Sequence, residues 1–320
     1  MDKAIGGYFE LELPQREEFH KNALWLNSGK NCLEYILRAR HYKKVYIPYY
    51  TCDVILKPFM KLNISYEFYH INMQFEIVDR ISLQGNEALL YTNYYGLKNH
   101  YVNILSQKYG NRLILDNTQA FFAKPLKGID SFYTCRKFFG VPDGAYLYCD
   151  VANSENLERS TSFEEFGYLL KRIDLSAEEG YEDYHVNEEH LECQPIRAMS
   201  NLTQRLMRSI DYNEVARKRR ANYEILHKAL GNENNVELLL EDDAVPMVYP
   251  FLSLGNCFRQ KLIDNKIFVA RYWPNVLEWT KKTDIEYLLA YQMQPLPIDQ
   301  RYGEKEMGKI IDVINIIRNK

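Results

Sequence analysis

Short apolar runs rich in β-branched and aromatic residues alternate with stretches of helical period through the first half of the chain. Residues 44–48, 64–70, 88–93, 112–116, 131–134 and 145–149 read as strands, because each is a brief apolar block bounded by turn formers. Ahead of the first, Cys32-Leu-Glu-Tyr-Ile-Leu-Arg38 repeats its apolar positions every three to four residues, and Asn27 or Ser28 can cap the helix this predicts. Alternation of this kind predicts a three-layer α/β sandwich with a mainly parallel central sheet and helices on both faces.

Beyond Asp150 the pattern changes. The acidic stretch 178–189 reads as a solvated excursion. A long helical pattern then runs from about Ser200 to Leu230, and its basic run Arg217-Lys218-Arg219-Arg220 reads as a solvated helix face. A second, smaller α/β alternation closes the chain, with strands at 245–252 and 267–272, a helix from Asn256 and a last helix from about Gly303. The division expected is a large domain with its N-terminal segment over 1–195, then a connecting helix and a small C-terminal α/β domain over 196–320. No internal repeat or low-complexity segment is visible.

Composition narrows the partners more than the fold. With 320 residues, 46% of them hydrophobic, the chain can bury a sizeable core. Forty basic against forty-three acidic residues give a net charge of -3, which supplies no footprint for nucleic acid or an anionic membrane. The six cysteines, at 32, 52, 135, 149, 193 and 257, include no Cys-x-x-Cys pair, and the seven histidines no His-x-x-x-His. Neither a metal site nor a disulfide framework is expected, and a cytoplasmic location is. No apolar run of about 18 residues suggests a membrane span, and the first residues lack the apolar stretch of a signal peptide.

In a parallel sheet, ligands collect at the carboxyl ends of the strands. Asp116 ends one strand, and Lys137 follows another in Thr134-Cys-Arg-Lys-Phe-Phe-Gly-Val-Pro-Asp-Gly144. A lysine amine can condense with an aldehyde and an aspartate can hold a protonated ring nitrogen, the two anchors pyridoxal phosphate requires. Each also has a plain reading, as a turn aspartate and a loop lysine. Asn27-Ser-Gly-Lys-Asn31 opens a helix whose free N–H groups suit a phosphate, though simple capping suits it equally. Pro48-Tyr-Tyr-Thr-Cys52 puts aromatic rings at a third strand end, where packing is the ordinary role. A nucleotide-binding Gly-x-Gly-x-x-Gly is missing after the first strand.

Taken in order, these segments resemble the fold-type-I pyridoxal-phosphate enzymes, and among them the DegT/DnrJ/EryC1/StrS sugar aminotransferases. Asn27-Ser-Gly-Lys-Asn-Cys-Leu33 is similar to that family's Ser-Gly-Thr-x-Ala-Leu segment, and Val45-Tyr-Ile-Pro-Tyr-Tyr-Thr-Cys52 to its Val-x-x-Pro-x-Tyr-Thr-Phe. Tyr94-Tyr-Gly96 is similar to Leu-Tyr-Gly, Leu115-Asp-Asn-Thr-Gln-Ala120 to Glu-Asp-x-Ala-Gln-Ala, and Arg136 to Ala145 to the lysine loop. The resemblance implies that Lys137 forms the Schiff base and moves protons, that Asp116 holds the pyridine nitrogen and that Gln119 lies near the phenolic oxygen. Gly29, Lys30 and Asn31 would contact the phosphate, with Thr134 as a hydroxyl donor. Cys52 stands where a stacking aromatic is usual, so Tyr50 is the ring the resemblance offers in its place. Lys30 replaces a threonine, Phe132 a serine, and Arg197-Ala-Met-Ser-Asn201 is the nearest echo of a Gly-Tyr-Asn-x-Arg-Met stretch. The activity implied is transfer of an amino group from an amino-acid donor, glutamate, to a nucleotide-sugar acceptor, in a homodimer; a scaffold or binding protein that does not transaminate is the alternative.

Overall fold

The computed structural model describes residues 5–151, 157–254 and 258–318. Seven strands, β1 (Leu24–Leu26), β2 (Lys44–Pro48), β3 (Ser65–Tyr69), β4 (Glu87–Thr92), β5 (Leu113–Asp116), β6 (Asp130–Thr134) and β7 (Ala145–Tyr148), form one sheet in the order β1-β7-β6-β5-β4-β2-β3. From β3 across to β6 all pairings are parallel, and β7 runs antiparallel to both β6 and β1. The parallel connections carry helices α1 (Gly29–Arg40), α2 (Leu56–Leu62) and α3 (Asn99–Tyr109).

Successive strand side chains point to opposite faces, and the two faces feed separate cores. Ala88, Leu90, Ile114, Phe132, Ala145 and Leu147 pack with Leu33, Ile36 and Leu37 of α1. Their neighbours Leu89, Tyr91, Leu113, Leu115, Tyr133 and Tyr146 pack into a second core with Val102 and Leu105 of α3. The expected three layers are therefore present. All six strands expected in this half form; β1, only three residues long, was too short to leave a pattern of its own.

The second half departs further from expectation. The acidic stretch 178–189 lies mostly within a helix, α5 (Tyr181–Cys193), which follows α4 (Gly167–Asp174) and buries Asn187 and Leu191. The single helix expected over 200–230 is two, α6 (Asn201–Met207) and α7 (Tyr212–Leu230). They break where the Asp211 carboxylate accepts the Glu214 N–H and caps α7. Helices α8 (Arg259–Asp264), α9 (Val276–Trp279), α10 (Ile285–Gln292) and α11 (Glu304–Arg318) follow. Asn256 and Cys257 lie outside the described residues. Strand β8 (Val248–Phe251) forms within the expected run, but its partner is β9 (Gln294–Pro297). Residues 267–272 make no strand; Ile267 and Val269 are simply buried. Proline supplies no ladder donor, so Gln-Pro-Leu-Pro concealed β9 from a reading by pattern.

Arg219 corrects the reading of the basic run as a solvated face, for its side chain is 1% exposed. Among the described residues no helix is long and apolar enough to cross a membrane.

Candidate active site

Three loops meet at the carboxyl edge of the parallel strands. Asp116 closes β5, pairs across to Thr92 at the end of β4, and leads, after the Asn117 N–H has paired with Phe132 O of β6, into a turn closed by the Ala120 N–H to Asn117 O. Its carboxylate is buried and doubly held: Oδ1 accepts the Thr118 N–H at 2.9 Å and Oδ2 lies 3.5 Å from the donating Thr92 Oγ1. Gln119, fully buried, takes the Tyr95 N–H on Oε1 at 3.0 Å. Its Nε2 is a buried donor with no partner. The Tyr95 turn needs the glycine that follows it: Gly96 has φ +72°, and a Cβ there would stand 2.9 Å from Val245 O.

Lys137 lies in the turn after β6. Phe138 and Phe139 follow it, both buried and both returning their N–H to Cys135 O. This anchoring leaves Lys137 on the open side, with its side chain exposed and Nζ donating to Thr118 Oγ1 at 3.0 Å. The surrounding chain crowds the amine and pushes its pKa below the ordinary lysine value. Asp116 and Cys52 oppose that shift and Arg136 adds to it. The amine is packed closely by neighbouring chain while the side chain as a whole stays open to solvent: it is reachable, yet poorly hydrated on most sides. Burial pushes the Cys52 thiol up to about 11, partly offset by Lys137. Lys137, Asp116, Cys52 and Thr118 thus share one electrostatic neighbourhood.

Helix α1 starts against the same loops. Ser28 caps it by accepting the Asn31 N–H at 3.3 Å, and Gly29 lies so close to Thr118 that a Cβ would meet Thr118 Cγ2 at 3.2 Å. The side chains of Lys30 and Asn31 turn elsewhere. Lys30 Nζ donates to Glu192 O at 2.6 Å, and Asn31 Nδ2 to Pro195 O at 2.8 Å and Asn27 Oδ1 at 2.9 Å. Any anion here would therefore be met by the first-turn backbone N–H groups and the positive end of the helix.

Two expected residues sit differently. Tyr50 cannot offer a ring face: it is 0% exposed, enclosed by Phe75, Tyr94 and Trp273, with its hydroxyl 3.0 Å from that of Tyr95. Packing is its role. Thr134 Oγ1 donates to Gly144 O across the β6–β7 pair at 3.4 Å. Thr118 went unread, although it occupies the place of an alanine in the motif that Leu115 to Ala120 resembles. Also unread was Asp143, whose buried carboxylate accepts the Ser200 N–H at 3.1 Å, the Ser200 hydroxyl at 2.8 Å and the Thr203 hydroxyl, so the exit of the lysine loop is pinned to the start of α6.

Pyridoxal phosphate calls for a free amine, an acceptor for a ring N–H, a donor to a phenolate oxygen and an anion cradle. Lys137 Nζ, the Asp116 carboxylate, the orphaned Gln119 Nε2 and the α1 N-terminus are groups of those four kinds at one edge of the sheet. The residues fit the group.

The seven-stranded sheet with helices on both faces is a three-layer α/β fold that solved aminotransferase structures share. No family model matches the chain and no curated protein matches it in sequence, whereas solved structures share the fold over almost its whole length. A DegT DnrJ EryC1 StrS aminotransferase from Brucella abortus aligns with a TM-score of 0.62 at 13% identity, over 93% of this chain and 86% of its own. Sugar aminotransferase CalS13 from Micromonospora echinospora gives 0.60 at 14%, over 92% and 87%. NtdA from Bacillus subtilis, with bound cofactor PMP, gives 0.65 at 12%, over 93% and 73%. At such low identity the likeness establishes the common fold.

Proposed function

We propose that this chain is a pyridoxal-phosphate-dependent aminotransferase that passes an amino group from glutamate to a nucleotide-linked keto sugar, working in the cytoplasm as a homodimer. The observation that carries the reading is the solvent-reachable Lys137 amine at the sheet edge, in the field of the buried Asp116 carboxylate. The fold shared with sugar aminotransferases supports the reaction class.

In this reading Lys137 Nζ would hold the cofactor through its aldehyde carbon, the Asp116 carboxylate would accept from the ring nitrogen and Gln119 Nε2 would donate to the phenolic oxygen. The N–H groups of Gly29 and Lys30, at the open start of α1, would meet the phosphate, and Cys52 would stand on the ring's side of the site. Pyridoxal phosphate, when bound, supplies an electron sink for charge at the substrate carbon. A lysine whose pKa is already lowered is suited to accept a proton from that carbon and return it, since its neutral form lies nearer to working pH.

The test adds pyridoxal phosphate to the purified chain and follows its visible absorption. The expected result is a band that borohydride fixes onto the Lys137 peptide, that glutamate displaces, and that Lys137→Ala abolishes. A band indifferent to every amino donor would favour the scaffold, and no band at all would sink the cofactor reading.

A further inference from the structure

Thr118 is the nearest polar partner of the amine on which the proposed chemistry depends. Its hydroxyl stands 3.0 Å from Lys137 Nζ. Its N–H is fixed by Asp116 Oδ1 at 2.9 Å, and its methyl lies against Gly29, where an added Cβ would crowd it at 3.2 Å. The hydroxyl is therefore held from two sides by the residues assigned to the ring and the phosphate. We infer that Thr118 is a positioning residue for Lys137, keeping the amine at the carboxyl edge of the sheet by a hydrogen bond whose direction reverses with the charge of the amine.

The physical basis is the double character of a hydroxyl, which is both donor and acceptor. Toward the ammonium form, Thr118 Oγ1 accepts; toward the neutral amine, its O–H donates to the lone pair. An alanine at this position would leave the amine to water in both states. The bond to a charged donor is the stronger of the two, so the hydroxyl favours the ammonium form and offsets some of the crowding that lowers the lysine pKa. The charged or titratable groups around the amine are Asp116 from the end of β5, Cys52 from the segment after β2 and Arg136 from its own loop. None of them lies within hydrogen-bond distance of Nζ, whereas Thr118 does.

The inference rests on reading Lys137 as the cofactor's lysine, and its test is arranged so that the two can fail separately. The full chain, freed of any carbonyl ligand with hydroxylamine, is labelled with acetic anhydride across a pH series, and acetylation of Lys137 is read by peptide mass. Relative to wild type, Thr118→Val should lower the titration midpoint by about half a unit to one unit, and Thr118→Ser should restore it. An unchanged midpoint in Thr118→Val, or an equal fall in Thr118→Ser, would overturn the inference. If Thr118→Val does not fold, Thr118→Ala compared with Thr118→Ser gives the same contrast. No cofactor enters this measurement, so a normal result beside a chain that never gains a visible band would defeat the proposed function alone.

Discussion

At the scale of single residues, chemistry was easier to read than environment. Lys137 and Asp116 could be singled out because one follows and the other ends a strand whose apolar pattern is plain, and strand ends are where parallel sheets expose functional groups. Tyr50 shows the opposite case, since a tyrosine at a strand end reads alike whether its ring faces a ligand or the core. His20 was not read at all, yet it is one of the more consequential buried groups. It is 1% exposed, with Nε2 2.8 Å from Phe121 O and Nδ1 3.1 Å from Tyr148 Oη. Burial lowers its pKa to about 4, so the native state keeps it neutral where the unfolded chain, titrating near 6.5, binds a proton. Between those two values the unfolded state holds more protons, and stability must fall as pH falls from about 6.5 towards 4. The span corresponds to at most ~3 kcal/mol. Urea midpoints of wild type and His20→Gln, measured from pH 7 to pH 4, should show the variant losing less over that window; parallel losses would remove His20 as the cause.

Among the elements, α7 shows how a sequence can contain a signal that composition hides. Four consecutive basic residues invite the reading of a solvated face. The buried positions of α7 are nevertheless Tyr212, Val215, Arg219, Asn222, Tyr223, Leu226 and Leu230, a stripe of helical period that includes Arg219 and omits Arg217. Arg219 donates to Met247 O at 2.9 Å and to Phe138 O at 3.3 Å, and its Nε to Gln300 Oε1 at 3.0 Å, while its guanidinium lies 4.5 Å from the Phe138 ring centroid. Phe138 is the neighbour of Lys137, so α7 holds the lysine turn from behind. Replacing Arg219 with Met would take the side-chain donor from Met247 O and from Gln300 Oε1 and should cost about 2–4 kcal/mol. Arg217→Met, losing only an exposed pair with Glu214, should change stability by less than about 1 kcal/mol. Denaturant unfolding of the two variants side by side decides it, and equal losses would refute the distinction.

Across the whole molecule, the large sheet was legible from its alternating pattern and the second half much less so, because its strands are short, its ladder contains prolines and its order comes from contacts distant in sequence. Those contacts converge on the loops that carry the site. Met247 N–H reaches Tyr95 O at 2.9 Å, Gln300 Nε2 reaches Phe138 O at 2.8 Å and Asn275 Nδ2 reaches Thr51 O at 2.9 Å. The apolar core on this face is likewise continuous, running from Leu89, Leu115 and Tyr133 of the large sheet to Tyr249, Leu296 and Ile314 near the C-terminal end. A division of the chain into two parts therefore describes its topology better than its energetics, since neither part could lose its structure without exposing the shared core and unpairing those carbonyls. The chain should accordingly unfold as one unit, and its tryptophans can report this independently: Trp25 lies in β1, Trp273 and Trp279 in the second part. Urea titrations of a variant retaining only Trp25, and of one lacking only Trp25, should give coincident fluorescence transitions that also match the loss of far-ultraviolet dichroism. Separate midpoints would show that the second part opens alone, and the lysine turn would then lose its backing before the sheet that carries it.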